Sequence, residues 1–209
     1  PKLNRFIANR NTYQRGEVSA SFVIKKQFSD AAEEGLAFIH SSAADTLDSI
    51  HDEIYRQITD RRSDSAGGDK STDSMDMFNR MPRFVGKGIV RFLCFLDRHG
   101  WVPADLIATD PYYSSVVLTN LGSIQLHSGY HHLTNWGTNS LFIIVGEKKP
   151  RPFYDAAGNM TLRDSVDIGL TVDERIADGY YCSKSVRLLK KLLDQPELLE
   201  LPLGEPVEF

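Results

Sequence analysis

Cysteine is scarce in this sequence, which argues against a zinc site and against any need for an oxidising compartment. Only two cysteines, Cys94 and Cys182, occur among the 209 residues. Neither lies in a CxxC pair or in a Cys/His spacing typical of zinc ligands, so we expect no metal centre. The two could form one disulfide, but nothing in the sequence requires it. We interpret both as free thiols of a cytoplasmic protein.

Long hydrophobic runs and an excess of basic residues are also missing. The longest strongly apolar run near the middle of the chain, GIVRFLCFL at 88–96, is interrupted by an arginine. It is well short of the roughly 20 residues of a membrane-spanning helix, so we expect no membrane span. Lys and Arg number 24 against 28 Asp and Glu, and this net charge of −4 does not favour nucleic acid as a partner.

What is present is the composition of a globular domain, with 41% apolar and 25% charged residues. Apolar residues recur at every second position over 18–25, which is the period of a β-strand. The stretch 35–43 predicts a second strand that pairs with the first as a hairpin. A helix follows, with Asp45 or Thr46 as its N-cap. The Gly- and Ser-rich stretch 61–74 then predicts a mobile loop.

The rest of the chain mixes helices with strands. Helical periodicity covers 75–96 with a break near Pro82, and Gly100 is a natural helix stop. The stretch 101–113 shows no period and predicts an irregular linker. The stretch 115–124 predicts a strand that runs into a turn at Asn120–Gly122. The remaining elements are strands at 139–149 and 166–172, a hairpin turn at 155–159 and a helix at 181–193. This mixture predicts an α/β fold, an α+β two-layer sandwich with a mixed sheet and packed helices.

Four stretches carry a family resemblance when they are taken in order. They are PKLNRF at the start, LTNLGSI at 118–124, TNSLFIIVGEKKPRP at 138–152 and DIGLTVDERIADGYYCSKSVRLLKKLLDQPELL at 167–199. The last stretch has the form of a strand, a short polar motif, a helix and a closing proline-containing tail. Its motif places Asp173, Glu174, Arg175, Asp178 and Gly179 within seven positions.

These stretches resemble the catalytic core of the dihydrolipoyl acyltransferases of 2-oxo acid dehydrogenase complexes. The chloramphenicol acetyltransferases share that fold and a version of its last motif. The resemblance implies a homotrimer whose active sites lie in channels between subunits, with coenzyme A entering one end and the acyl acceptor the other. It also implies that residues 1–209 are one acyltransferase-like domain whose N-terminal third is absent from this chain.

Three site residues follow from the resemblance. The family's general base is the histidine after the first aspartate of the last motif, and Glu174 stands at that position. Asp178 matches the motif aspartate that holds the loop through an ion pair. Thr119 matches the hydroxyl that stabilises the tetrahedral oxyanion, so the three implied catalytic residues are Glu174, Thr119 and Asp178.

The exchange of histidine for glutamate makes the base weaker. Proton transfer from a thiol of pKa ~8.5 costs roughly 2.7 kcal/mol to an imidazole of pKa ~6.5, and close to ~6 kcal/mol to an ordinary carboxylate of pKa ~4.3. That difference is about two decades in rate. A carboxylate also repels the developing oxyanion, which an imidazolium attracts. In the alternative interpretation, Glu174 is a strand-end carboxylate in a salt-bridge cluster with Arg175.

Two histidines offer another source of an imidazole base. His131 and His132 lie in a loop that borders the channel in the resembled family, and they could equally be surface or interface residues.

The sequence supports two hypotheses of function. The first is an acyltransferase that moves an acyl group between coenzyme A and a small thiol or hydroxyl acceptor. The second is a catalytically inactive trimeric relative that acts as a binding or regulatory module. The sequence leaves open whether the protein is an enzyme, because Glu174 replaces the residue that does the chemistry.

Overall fold

A computed structural model describes residues 2–25, 34–63 and 81–208, which form a five-stranded mixed sheet, a separate two-stranded sheet and four α-helices. The predicted α/β class is confirmed. The strands are β1 (Arg5–Ala8), β2 (Asn11–Gln14), β3 (Val18–Lys25), β4 (Glu34–Ser41), β5 (Val116–Asn120), β6 (Leu141–Tyr154) and β7 (Met160–Val172). The helices are α1 (Leu47–Ser63), α2 (Arg83–His99), α3 (Ala104–Ile107) and α4 (Gly179–Asp194).

The large sheet has the strand order β4-β3-β5-β6-β7. β3 pairs antiparallel with β4, as the predicted hairpin requires, and β6 pairs antiparallel with β7. The central pairs β3–β5 and β5–β6 are parallel. β3 lies between β4 and β5, and the chain passes from β4 to β5 by a long connection that carries α1 and α2.

One face of the sheet carries a well-buried part of the core. Val117 and Phe142 are register partners, and they are 6% and 3% exposed. Ile144, two residues along β6 on the same face, is 5% exposed. Ser21 in the neighbouring strand is fully buried, and its hydroxyl bonds to Ser114 Oγ at 2.8 Å. The buried polar group is therefore satisfied by a polar partner.

The helix ends follow the predicted signals where the structure describes them. Thr46 Oγ1 accepts a hydrogen bond from Ser49 N–H at 3.3 Å, so Thr46 caps α1. Gly100 ends α2 with a φ of 69°, a left-handed conformation that suits glycine. Residues 61–63 complete α1, while the rest of the predicted mobile loop and residues 75–80 of the predicted second helix lie outside the described residues.

Two segments differ in detail from the sequence prediction, and a third agrees with it. The linker 101–113 contains α3, which starts after Pro103, and a 3-10 turn at Pro111–Tyr113. β5 runs into a turn at Asn120, as predicted, and the Asn120 side chain accepts from Ser123 N–H at 3.2 Å at the start of this 3-10 turn. β7 begins at Met160, well before Val166, because it continues a hairpin with β6 beyond the body of the sheet.

None of the helices in the described ranges combines the length and the apolar character that crossing a membrane requires. Cys94 and Cys182 are free thiols, as predicted.

The far parts of β6 and β7 form a two-stranded arm, residues 148–166, which pairs with no other described strand. Asp155 closes its tip by accepting hydrogen bonds from Ala157 N–H and Asn159 N–H at 2.9 and 2.8 Å. Large apolar side chains are exposed along the arm, namely Phe153, Tyr154, Met160, Leu162 and Val166. An exposed apolar surface of this kind is typical of a contact surface.

The β4 edge of the sheet is covered by a side chain from α1. Gln57 accepts from Phe38 N–H at 3.0 Å and donates to Phe38 C=O at 2.6 Å. These are the two backbone groups that Phe38 turns away from β3. The amide of Gln57 therefore occupies the place that a neighbouring strand would take.

Arg15 joins three separate segments at the end of the sheet where β5 and β6 begin. Its guanidinium group donates to the carbonyl oxygens of Tyr113, Ser114 and Thr138 at 2.9, 3.2 and 2.6 Å. Burial lowers the pKa of Arg15 to about 10, although the charge of Glu17 acts in the opposite direction. The group still carries its charge at neutral pH.

The loop that follows β5 packs against the sheet at two glycines, Gly146 of β6 and Gly169 of β7. A Cβ atom at Gly146 would meet the backbone of Ser128, and one at Gly169 would meet the carbonyl oxygen of Gly129. The loop can therefore lie on the backbones of β6 and β7 only because these positions have no side chain.

We expect Gly169→Ala to destabilise the protein by about 1–3 kcal/mol, because the added methyl group must push the loop backbone away. Gly88→Ala is the matched control. Gly88 lies inside α2 with nothing within 4 Å of an added Cβ, so alanine there should stabilise the protein by about 0.5–1 kcal/mol. Urea unfolding followed by circular dichroism measures both changes. Equal stability of the Gly169→Ala variant and the parent would contradict this packing of the loop.

Candidate active site

The turn after β7 is anchored by an ion pair between a nearly buried carboxylate, Asp173, and a largely exposed guanidinium group, Arg175. Asp173 N–H donates to Ser140 C=O at 3.0 Å, one residue past the end of the strand. The Asp173 carboxylate is nearly buried and accepts from the Arg175 backbone N–H at 3.0 Å and from Arg175 Nη2 at 2.6 Å. Burial by itself would raise the pKa of Asp173, but the hydrogen bonds and charge of Arg175 lower it below its ordinary value.

Glu174 lies between these two partners and is exposed. Its carboxylate makes no hydrogen bond or ion pair with any residue of 2–25, 34–63 or 81–208. The sequence allowed a salt bridge between Glu174 and Arg175. In the structure Arg175 pairs with Asp173 instead, because the turn folds Arg175 back over the end of β7. Ile176 and Ala177 are 3% and 5% exposed, so the backbone is fixed on both sides of a free carboxylate.

Asp178 caps α4 and forms an ion pair, and its implied part in catalysis stays a prediction. Its side chain accepts from Tyr181 N–H at 2.8 Å and caps the N-terminus of α4. It also pairs with Lys2 Nζ at 3.4 Å, while Lys2 N–H donates to Tyr181 Oη at 2.9 Å. The hydrogen bond from Tyr181 N–H, with a smaller effect of Lys2, lowers the pKa of Asp178. The partner Lys2 was not predicted, because nothing in its sequence neighbourhood marks it.

Thr119 lies near the C-terminal end of β5 and is half-buried. Its hydroxyl makes no hydrogen bond with the described residues, so it is free to donate to a ligand. The next residue, Asn120, caps the start of the 3-10 turn that follows. Thr119 is in register with Ile144 and therefore faces the same side of the sheet as the buried core residues.

Within one chain, Thr119 and Glu174 lie toward opposite ends of the sheet. Thr119 is in register with Ile144 and, across β6, with Gly169. At ~3.3 Å per residue, Val172 is already about 10 Å farther along the strands, on a strand two places away. Glu174 lies beyond Val172 in the direction away from Thr119. One chain cannot bring the two side chains to a common acyl group.

The two candidate histidines lie on the loop that covers the core face. The His131 ring stacks on Phe142 with 4.3 Å between ring centroids and an angle of 7°. Its Nδ1–H donates to His132 C=O at 2.8 Å, which leaves Nε2 as the basic nitrogen. His132 is exposed and bonds to Leu133 C=O at 3.3 Å. A role for His131 or His132 as the base stays a prediction.

His127, the third histidine of this region, pairs with other groups. Lys149 Nζ lies 2.7 Å from His127 Nδ1, and Glu147 Oε1 lies 3.3 Å from the same nitrogen. In the described part of the chain, no three His, Cys, Asp or Glu side chains are grouped so that they could hold a metal ion.

Part of the chain matches a known protein family. Residues 106–201 match the sequence model of the 2-oxoacid dehydrogenases acyltransferase catalytic domain. This stretch contains Thr119, Glu174 and Asp178, and the resemblance stated from the motifs is thereby confirmed for it. Comparison of the sequence with curated proteins found no significant match.

Solved structures share the fold at low sequence identity. A probable dihydrolipoamide acetyltransferase from Listeria monocytogenes is 15% identical with a TM-score of 0.58, over 93% of this chain and 63% of its own. The Azotobacter vinelandii dihydrolipoamide acetyltransferase is 15% identical with a TM-score of 0.61, over 96% and 64%. The cubic core of a pyruvate dehydrogenase multienzyme complex is 14% identical with a TM-score of 0.56, over 96% and 64%.

The chain therefore spans a little under two thirds of the length of these structures. The Azotobacter structure was determined to study a serine, a histidine and an asparagine in the catalytic mechanism, the last two four positions apart.

We expect Asp173→Asn to destabilise the protein by roughly 1–2 kcal/mol at pH 7, because Arg175 then loses its charged partner at a nearly buried site. A carboxyl group whose folded pKa is lowered stabilises the fold above its ordinary pKa and loses this effect as the pH falls through the lowered value. The difference between variant and parent should therefore shrink between pH 7 and pH 3. Urea midpoints at the two values test this, with the exposed Asp194→Asn as control. A constant difference would contradict the ion pair.

Proposed function

We propose that this protein is an acyltransferase that moves an acyl group between coenzyme A and a small thiol or hydroxyl acceptor. The turn after β7 carries the proposal, because it fixes the backbone at Glu174 while leaving the carboxylate unbonded and exposed. That is what a group needs if it is to take a proton from a bound molecule. The family match of residues 106–201 supports the reaction class.

The proposed reaction divides the work between two side chains. Glu174 accepts the proton of the acceptor's thiol or hydroxyl group as that group attacks the thioester carbonyl of the acyl-coenzyme A. The Thr119 hydroxyl donates a hydrogen bond to the oxyanion that develops on that carbonyl. When the intermediate collapses, the bond from the acyl carbon to the coenzyme A sulfur breaks, and the leaving thiolate takes up the proton from Glu174.

The proposed site is shared by two subunits of a homotrimer. The strand register supports this, because it separates Thr119 and Glu174 within one chain. A head-to-tail interface that closes into a ring would bring the β5 end of one protomer to the turn after β7 of the next. The exposed apolar side chains of the 148–166 arm are suited to such an interface.

The proposed setting follows from the same features. The partners are a small-molecule acceptor and further copies of this chain. The free thiols of Cys94 and Cys182 fit a reducing compartment, and we propose the cytoplasm.

One observation favours a second candidate function, a catalytically inactive trimeric binding module. No described residue holds the Glu174 carboxylate in a fixed orientation, and a general base normally has such a partner. In this case the protein binds coenzyme A or an acyl ligand without turnover.

An assay of acyl transfer distinguishes the acyltransferase from the inactive binding module. It measures the release of free coenzyme A thiol from acetyl-coenzyme A with a panel of thiol and hydroxyl acceptors. If Glu174 is the base, Glu174→Gln should lower turnover by about 100-fold or more, because proton transfer contributes at least that much. Glu197→Gln changes an exposed glutamate away from the site and should leave the rate unchanged. Turnover that appears only in Glu174→His would instead indicate an inactive relative that has lost its base.

Mixed assemblies test whether the site is shared. Thr119→Val and Glu174→Gln proteins should each be nearly inactive. Unfolded together in equal amounts and refolded, they should recover about a quarter of the parent rate, since random pairing rebuilds that share of two-subunit sites in a ring. The mixture without refolding is the control. Failure to recover activity from a confirmed mixed trimer would contradict the shared site.

A further inference from the structure

A cavity of about 510 Å³ opens next to the turn after β7, and the proposed acyl transfer does not use its charged groups. Three parts of the chain surround it: the turn between β1 and β2, the C-terminal end of α2, and the loop 134–138. Arg175 completes the wall. The volume lies in the range of sites that take small molecules.

The positive charge of this cavity is only partly balanced. Arg175 is paired with the nearly buried Asp173, so its charge is offset. Among the described residues on the wall, Asp97 is the one carboxylate, and it accepts a hydrogen bond from Tyr113 Oη at 2.7 Å. Arg10 and Arg98 are exposed and make no hydrogen bond or ion pair with any residue in the described ranges.

Arg10 and Arg98, which have no partner among the described residues, lie on two separate elements whose backbones are fixed. Arg10 lies in the tight turn of the β1–β2 hairpin with a φ of 62°. Arg98 lies in the last turn of α2, which Gly100 closes. Their backbone positions are therefore set before any ligand arrives, which reduces the entropy cost of binding.

We propose that this cavity binds a small molecule through an anionic oxygen group, a carboxylate or a phosphate, held between Arg10 and Arg98. Guanidinium groups donate parallel hydrogen bonds that match the oxygen spacing of both groups. Two of them against the one carboxylate of Asp97 leave a net attraction for an anion. Arg175 lines the cavity and Glu174 precedes it in the chain, although Glu174 is not itself on the wall. We take the bound molecule to be the acyl acceptor, a step that rests on the proposed function, whereas the anion binding does not.

Isothermal calorimetry tests the proposal. The protein is titrated separately with sodium phosphate and with sodium succinate at constant ionic strength, so that phosphate binding and carboxylate binding are distinguished. Arg98→Gln and Arg10→Gln should each weaken binding at least tenfold. Arg91→Gln is the matched control, since Arg91 is an exposed arginine of the same helix outside the cavity, and it should bind as the parent does. Circular dichroism confirms that each variant is folded.

The proposal is supported if either anion binds to the parent and to Arg91→Gln but not to Arg10→Gln or Arg98→Gln. Absence of binding by both anions overturns it, and so does binding that both cavity variants retain. The rate of coenzyme A thiol release is measured separately. A protein that binds phosphate but transfers no acyl group would contradict the proposed reaction and leave the anion site standing.

Discussion

The partly buried Arg15 guanidinium group is the constraint on which the arrangement of the site region depends. It ties the residue that follows β2 to the segments that lead into β5 and β6 through three backbone carbonyls. Its two terminal nitrogens take all three carbonyls, because a charge withdrawn from water is costly without hydrogen bonds. The loop through Thr138 is fixed by it. That loop forms one wall of the arginine-lined cavity beside the turn after β7, so the position of this wall depends on a residue far from it in the sequence.

The strand register divides the chemistry between two ends of one sheet. β5 and β6 are parallel and β7 is antiparallel, so the chain leaves β5 at one end and leaves β7 at the other. A hydroxyl at the first exit and a carboxylate at the second cannot act together in one copy. If both act on one acyl group, assembly is part of the catalytic machinery. The 148–166 arm, with its exposed apolar side chains, offers a surface for such assembly.

The sequence predicts the elements whose pattern is local. The two-residue period of β3 and the capping signals of Thr46 and Gly100 depend on neighbours along the chain, and these predictions are confirmed. What it could not predict depends on contacts across the fold. Arg10 and Arg98 are ordinary single arginines in the sequence and meet only at the cavity. Arg175 pairs with Asp173 rather than Glu174 because the backbone turns back over the strand end, which composition alone does not indicate.

The amide of Gln57 on the outer side of β4 has a consequence for how copies of the protein can associate. With both outward backbone groups of Phe38 taken, that border of the sheet offers a poor template for the strand of another molecule. Indefinite stacking of sheets side by side is therefore blocked in one direction. A fibre that grows by strand pairing requires two open sheet edges on each molecule, so the Gln57 side chain favours finite, closed assemblies.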